Sequence, residues 1–230
     1  MGRISASLLV TSSALVASAS AVTFDFESDL CGSRLGAGVE TVAHGYRQGK
    51  DLSRDAVYIS NMRAHGGKRS LLVERFGPES CNYSRVVNFN LRTLDPGRSQ
   101  LLEFWFYPEG NGIAAVNFET SIYGKGNAVL FRAGLSNGGF EWRKTGDVVR
   151  LGTWHRIRIR FPAAGEMGGK VVFTAECPVD GKLSVVWRSE KPVDAVLLAK
   201  GYVNLRLWFH QGLSGQRVYF DDVTAENHAD

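Results

Sequence analysis

The chain has 230 residues, 44% hydrophobic and 22% charged, a composition typical of globular proteins rather than disordered ones. The formal net charge is +4, a mild excess that does not favour nucleic acid as a partner, so any electrostatic preference must come from local clusters. Twenty-six glycines against six prolines indicate many tight turns.

The first residues have the pattern of a secretory signal. Arg3 supplies one positive charge, residues 8–17 are apolar and small, and residues 17–19 or 19–21 have the A-x-A form of a signal-peptidase site. A membrane anchor is the alternative, but the apolar run is shorter than the ~20 residues that span a bilayer. We therefore expect residues 1–21 to be a signal peptide, and the product to be secreted, or periplasmic in a bacterium, without membrane insertion.

Short alternating segments separated by glycine-rich turns fill the rest of the chain. No ten-residue stretch has a convincing helical period. The pattern predicts an all-β fold, a two-sheet antiparallel β-sandwich in a single domain over residues 22–230. The predicted strands are residues 23–27, 56–59, 70–74, 86–91, 101–107, 115–123, 128–133, 139–143, 148–151, 154–161, 170–176, 183–188, 195–198, 203–210 and 218–224.

Residues 150–161, RLGTWHRIRIRF, combine a turn at Gly152 with a strand that has two unlike faces. Alternate residues of a strand point to opposite sides of the sheet. One face is therefore suited to a core, and the other is cationic and begins with an indole. The first face holds His155, Ile157, Ile159 and Phe161, and the second holds Trp154, Arg156, Arg158 and Arg160.

Residues 101–107, 115–123 and 203–210 repeat this arrangement, with aromatic and polar side chains opposite an apolar face. The faces belong either to one sheet surface or to separate sheet edges. The predicted ligand-binding residues are Trp105, Tyr107, Asn117, Glu119, Arg156, Arg158, Asn204, Arg206, Trp208 and His210.

Such a surface suits carbohydrates. The C–H faces of sugars pack on indole and phenol rings, and arginine offers a planar fork for a uronate or sulfate group. The alternative is an ordinary outer face, with the tryptophans covered by loops and the arginine stems lying over them.

Four short motifs resemble extracellular jelly-roll modules. Residues 67–73 (GKRSLLV) are similar to a strand near the start of such modules, 152–157 (GTWHRI) to a strand of concanavalin A-like and laminin G-like sandwiches, 179–182 (VDGK) to the hairpin that often follows, and 219–223 (YFDDV) to their closing strand. The resemblance implies a jelly roll of the concanavalin A-like superfamily, similar to carbohydrate-binding modules. That superfamily includes lectins, glycosidases, polysaccharide lyases and adhesion domains, so fold does not decide function.

The favoured function is non-catalytic binding of a polysaccharide, with an anionic one as an option. The alternatives are an extracellular structural or adhesion domain and a polysaccharide lyase. A lyase needs a group that neutralises the uronate and one that abstracts a proton; Tyr107, Arg206 and His210 have suitable types. Hydrolysis by Glu103 with Glu119 is less favoured, because they lie on different strands and the E-x-D-x-x-E strand of laminarinase-type glycosidases is absent.

Acidic residues at the two ends of the domain form a candidate metal site. Asp25 and Glu27 near the first strand and Asp221 and Asp222 in the last would meet if the terminal strands pair, and oxygen-rich clusters bind structural calcium. The alternative is that these carboxylates discourage edge-to-edge aggregation.

Three cysteines allow at most one disulfide. Cys31 and Cys81 could close a loop and leave Cys177 as a thiol, but their spacings choose no pair. Asn82 begins a glycosylation sequon, relevant only in a host that glycosylates.

Overall fold

The structure is a computed structural model that describes residues 21–29, 39–43, 56–75, 83–90, 97–109, 115–122, 128–136, 139–140, 149–193, 204–210 and 215–227. Within these ranges the chain forms strands and turns and no helix. The strands are β1 (Ala21–Phe24), β2 (Val39–Ala43), β3 (Ala56–Ser60), β4 (Ser70–Arg75), β5 (Tyr83–Asn90), β6 (Gln100–Glu109), β7 (Ala115–Ile122), β8 (Ala128–Ser136), β9 (Gly139–Phe140), β10 (His155–Phe161), β11 (Lys170–Val179), β12 (Lys182–Pro192), β13 (Asn204–His210) and β14 (Gln216–Asn227).

The strands form two antiparallel sheets. The eight-stranded sheet has the order β12-β11-β10-β6-β14-β4-β3, and β1 pairs with β14 beside this path. The six-stranded sheet has the order β2-β5-β13-β7-β8-β9. The pairing of β1 with β14 brings the two ends of the predicted domain together, which is the condition under which the acidic residues at the two ends would meet.

Among the described residues, one hydrophobic core lies on the inner side of the eight-stranded sheet. Leu102, Phe104 and Phe106 of β6 are buried and alternate with half-buried residues, and β10 repeats the pattern. Phe89 of the second sheet is fully buried and contacts the rings of Phe24 and Phe26 at 5.3 and 6.3 Å between centroids. The two sheets therefore share this core, in the manner of a β-sandwich.

Left-handed backbone occurs at the hairpin turn between β11 and β12. Asp180 and Gly181, with φ of 50° and 75°, form the two-residue turn between β11 and β12. Two positive φ values in succession characterise the turns that match the twist of a hairpin. The hairpin predicted from residues 179–182 is therefore present.

Most predicted strands within the described ranges are present, with three differences. β1 ends at Phe24, and Phe26 has a φ of 61°, so Asp25 and Glu27 lie beyond the strand rather than in it. Residues 149–151 form a bend and a turn instead of the predicted strand over 148–151. β2, in a segment predicted to be loop, is an additional strand.

Several sequence predictions concern residues outside the described ranges. These are residues 1–20 of the predicted signal peptide, Cys31, Cys81, Asn82 and the predicted strand over 195–198, so they stay predictions. Cys177 is a buried free thiol. In the described ranges no helix is long and apolar enough to cross a membrane.

Truncation of a buried core side chain should strongly reduce the stability of the fold. Phe104→Ala removes a fully buried ring and should lower the free energy of unfolding by about 3–5 kcal/mol, because transfer and cavity costs add. Met167→Ala is the control, since Met167 is 97% exposed and should change stability by less than about 0.5 kcal/mol. Equilibrium unfolding in urea measures both; similar small values for the two variants would contradict the core described above.

Candidate functional site

The outer face of the eight-stranded sheet carries aromatic and charged side chains from neighbouring strands. Trp105 and Tyr107 of β6 alternate with the buried core residues and are half-buried. Arg156 of β10 lies opposite Trp105, and Arg158 lies opposite Glu103. Residues opposite each other in antiparallel strands are neighbours on one face, so the register itself assembles this surface.

Four rings on this face form what we call the aromatic cluster: His65, Trp105, Tyr107 and Trp154. The imidazole of His65 stacks on the indole of Trp105 with centroids 3.6 Å apart and planes 15° apart. The ring of Trp154 lies 5.6 Å from His65 and 5.3 Å from Tyr107. The three larger rings are half-buried and His65 is exposed, so the cluster presents ring edges and part of its faces to solvent.

Two arginines flank the aromatic cluster. The guanidinium carbon of Arg63 lies 5.7 Å from the Tyr107 ring centroid, and that of Arg156 lies 5.8 Å from Trp105, both within cation–π range. Arg63 donates to Glu109 at 3.0 Å, and Arg156 donates to Glu176 at 2.5 Å. These carboxylates hold the guanidinium groups beside the rings.

Glu103 is a shared partner of two arginines on the same face. Its oxygens lie 3.9 Å from Arg156 Nη1 and 3.2 Å from Arg158 Nε. Burial raises the pKa of the Glu103 carboxyl, and the two nearby guanidinium groups oppose that shift. The electrostatic balance of this surface therefore depends on a partly desolvated carboxylate.

The loop that supplies Arg63 and His65 is fastened to β14 by a buried carboxylate. Asp221 is fully buried and accepts backbone N–H groups from His65 at 2.7 Å, Gly66 at 3.4 Å and Asp222 at 2.9 Å. The Asp222 carboxylate lies 2.7 Å from His65 Nδ1. Burial raises the pKa of Asp221 to about 7, and the adjacent Asp222 charge adds to the shift against the three backbone hydrogen bonds.

A second carboxylate fastens the other end of this loop. Glu27 Oε1 accepts the backbone N–H groups of Lys68 and Arg69, each at 2.8 Å, and these bonds lower the pKa of Glu27. The Arg69 guanidinium donates in return to the carbonyls of Glu27 and Asp29. Gly67 has a φ of 65°, and a side chain there would collide with the Glu27 carboxyl.

The predicted calcium ligands therefore lie on two sides of one loop. Glu27 contacts residues 68 and 69, Asp221 and Asp222 contact residues 65 and 66, and Asp25 Oδ1 accepts the Glu27 N–H at 3.2 Å. Among the described residues no group of three or more His, Cys, Asp or Glu side chains is arranged to hold a metal ion. Calcium at these carboxylates stays a prediction.

The structure divides the predicted ligand-binding residues between the two sheets, so they do not share one sheet surface. Trp105, Tyr107, Arg156 and Arg158 lie on β6 and β10 of the eight-stranded sheet. The other six lie on β7 and β13 of the six-stranded sheet, where only their strand positions are described: Asn117, Glu119, Asn204, Arg206, Trp208 and His210.

The same division separates the predicted catalytic sets. Tyr107 lies on β6, whereas Arg206 and His210 lie on β13 in the other sheet. Glu103 and Glu119 are likewise in different sheets. Sheets of a sandwich are packed about 10 Å apart with the core between them, so neither set shares a face.

Sequence reasoning missed His65 and Arg63, and it placed Trp154 on the outer face of its strand without including it among the predicted ligand-binding residues. The segment before Gly66 has no alternation, so no pattern indicated that its side chains reach β6. His155, predicted at the edge of the core, is fully buried. Its Nε2 accepts the Arg150 N–H at 3.1 Å and its Nδ1 donates to the Thr153 carbonyl at 2.8 Å, so it has a structural role.

No protein-family model matches the chain, and no curated protein sequence matches it. Solved structures do match. Cellulose induced protein Cip1 is 16% identical with a TM-score of 0.55, covering 90% of this chain and 97% of that one. An endo-β-1,4-glucuronan lyase from the fungus Trichoderma reesei is 13% identical with a TM-score of 0.50, covering 82% and 95%.

Lectin UEA-II, solved in complex with galactose, is 9% identical with a TM-score of 0.50, covering 90% of this chain and 99% of the lectin. At these identities the likenesses bear on the fold alone. They confirm the predicted two-sheet jelly-roll β-sandwich.

The buried Asp221 predicts a pH dependence of stability. Its pKa rises from 3.8 to about 7 on folding, so between these values the folded state binds more protons than the unfolded state, and its stability falls as pH rises. Relative to Asp221→Asn, whose residue 221 does not ionise, the wild type should lose about 2–4 kcal/mol of unfolding free energy over this window.

Urea unfolding of both proteins at pH 4.5 and 7.5 measures this difference. EGTA in the buffers removes any contribution of bound calcium. Glu27, whose pKa is lowered, has the opposite pH dependence but is present in both proteins and cancels. A difference between the two proteins that does not change with pH would contradict the assignment.

Proposed function

We propose that this protein binds carbohydrate through the aromatic cluster and does not transform it. The observation that carries the proposal is the grouping of four rings on the outer face of the eight-stranded sheet. His65 contacts Trp105 and Trp154, and Trp154 contacts Tyr107, with centroids 3.6 to 5.6 Å apart. Half-buried rings of this kind have fixed positions and retain some accessible surface.

The chemistry of the cluster suits a saccharide. Indole and phenol rings pack against the apolar C–H faces of sugar rings, and the Tyr107 hydroxyl and the indole N–H groups are polar handles at the rim. Arg63 and Arg156 each form a hydrogen bond to a carboxylate, and a guanidinium has five N–H donors in total. Donors therefore remain for hydroxyl or carboxylate oxygens of a ligand.

The structural neighbours support carbohydrate as the class of ligand. One was solved with galactose and another is named as a glucuronan lyase, so the fold accommodates both saccharide binding and saccharide cleavage. Fold alone does not choose between these functions. The choice of binding rests on the grouped rings of the aromatic cluster, which offer a stacking surface for a sugar.

Lyase activity on the six-stranded sheet is the second candidate. The strand register places His210 opposite Tyr83, and Arg206 between Asn88 and Glu119. Histidine or tyrosine can abstract a proton, and arginine with asparagine can neutralise a uronate. This arrangement replaces the predicted set that included Tyr107, because Tyr107 belongs to the other sheet.

Truncation of the cluster tests the binding proposal. After a glycan array identifies a ligand, Trp154→Ala and Tyr107→Ala should each weaken binding about five- to tenfold, the equivalent of losing roughly 1–1.5 kcal/mol of ring contact. Isothermal titration calorimetry measures the affinities. Met167→Ala, at a 97% exposed residue, is the control and should bind as the wild type does.

The same samples decide between binding and cleavage. Incubation of each bound acidic polysaccharide with the protein, followed by the absorbance of unsaturated uronate, detects β-elimination. Steady growth of that absorbance, abolished by His210→Ala, would establish the lyase and overturn the non-catalytic proposal. Absence of binding to every neutral and acidic glycan would overturn both.

Structural calcium at the carboxylates around residues 65–69 is a separate proposal. Its support is the convergence of Glu27 and Asp222 on adjacent glycines, Gly67 and Gly66. Calcium added after EGTA treatment should then raise the melting temperature by several degrees, because a ligand that binds only the folded state stabilises it. Glu27→Gln should reduce that gain, magnesium should not replace calcium, and an unchanged melting temperature would contradict the proposal.

A further inference from the structure

A cavity of about 370 Å³ lies on the outer face of the eight-stranded sheet, beside the aromatic cluster and apart from it. Three arginines from two strands line it together with one carboxylate, a hydroxyl and two apolar side chains. The lining residues are Leu101, Arg158, Arg160, Val172, Thr174, Arg188 and Glu190. Of these, only Arg158 is among the predicted ligand-binding residues. We call this cavity the arginine pocket.

The strand register explains why the arginines meet. Arg158, Thr174 and Arg188 form one cross-strand row over β10, β11 and β12. The next row along these strands holds Arg160, Val172 and Glu190, and Leu101 of β6 lies opposite Arg160. Rows on one face are about 7 Å apart, so the guanidinium groups surround a space with an apolar floor.

The charge around the pocket is not balanced. Glu190 is shared by Arg188 at 2.9 Å and Lys170 at 3.4 Å. Glu103, at the edge of the pocket, is shared by Arg156 and Arg158. Arg160 has no ion pair with any described residue. Arg156 also pairs with Glu176, and the Glu226 charge is near enough to Glu103 to raise its pKa. Around the pocket, five cations (Arg156, Arg158, Arg160, Lys170 and Arg188) therefore face four carboxylates (Glu103, Glu176, Glu190 and Glu226), which leaves a local excess of positive charge.

One donor in the pocket is also unsatisfied. The Nε atom of Arg158 is buried and makes no aligned hydrogen bond within the described structure, although Glu103 Oε2 lies 3.2 Å away. A buried N–H without a partner is costly, and an acceptor entering the pocket would relieve that cost. The hydroxyl of Thr174 lies in the same cavity as a further donor.

We propose that the arginine pocket binds the carboxylate or sulfate group of an acidic saccharide. Guanidinium groups bind such oxyanions through paired N–H donors. On β6, Leu101 at the pocket and Trp105 in the aromatic cluster are four residues apart, about 13 Å along the strand. A saccharide lying on the cluster therefore reaches the pocket with a neighbouring acidic unit. This part of the inference rests on the proposed function; the anion site itself does not.

Inorganic sulfate is the first probe, because it tests the pocket without any saccharide. Titration of the wild type should shift the side-chain Nε–H signals of the pocket arginines in NMR spectra. Arg160→Gln with Arg188→Gln should weaken sulfate binding at least tenfold. The matched control, Arg98→Gln with Lys182→Gln, removes two positive charges from exposed positions outside the pocket and should keep the wild-type affinity within twofold.

The backbone spectrum of each variant reports whether it is folded. Arg160→Ala, at an exposed side chain, is the fallback should the double variant not fold, and it should also weaken sulfate binding. Equal sulfate affinity in the pocket and control variants, or no shift at any pocket arginine, would overturn the inference.

Matched oligosaccharides then test the acidic ligand. A uronate or sulfated oligosaccharide should bind the wild type at least tenfold more tightly than its neutral counterpart, and the pocket variant should lose that preference while still binding the neutral form. Which acid is preferred separates carboxylate from sulfate. Equal binding of acidic and neutral forms, abolished by Trp154→Ala, would refute the pocket and leave the proposed function standing. Sulfate binding in the pocket with no saccharide bound would refute the proposed function, and with it the saccharide part of this inference.

Discussion

The two-residue period of β6 and β10 is the constraint on which the rest of the structure depends. It buries Phe104, Phe106, Ile157 and Ile159 on one side of the central sheet. A register slip of one residue would move this whole set to solvent and bring charged side chains inward. Because burial of the apolar rows fixes the register, it also fixes which polar side chains become neighbours on the outer face. The core and the candidate binding surface are thus two results of one pairing.

The outer face becomes a site only where a loop is held against it. Asp221 occupies a fully buried position on the same side as Trp105, and its carboxylate binds the backbone N–H groups of residues 65 and 66. A buried carboxylate without such donors would be strongly unfavourable. With them, it positions His65 for its stack on Trp105. The site therefore depends on a desolvated charge as much as on aromatic packing.

Local alternation predicted the all-β fold and both faces of β10, because a strand that is buried on one side has apolar residues at every second position. It did not predict which strands share a sheet. β13 has the same alternation as β6, yet its partners are β5 and β7, and that pairing is decided by contacts between distant segments. The sequence also did not predict that His65 belongs to the site. Its loop has no alternating pattern, and its position is determined by hydrogen bonds to β14.

Glu103 connects the aromatic cluster with the arginine pocket. One of its oxygens faces Arg156, which flanks Trp105, and the other faces Arg158, which lines the pocket. An oxyanion held by Arg158 competes with Glu103 for that guanidinium, and the raised pKa of Glu103 means that protonation relieves the competition more readily than it would at an ordinary surface carboxylate. Because Glu103 also lies 3.9 Å from the Arg156 guanidinium, which Glu176 holds beside the indole, a change in the charge of Glu103 acts on both regions. The aromatic cluster and the arginine pocket are therefore coupled electrostatically through Glu103, in addition to being neighbours along β6.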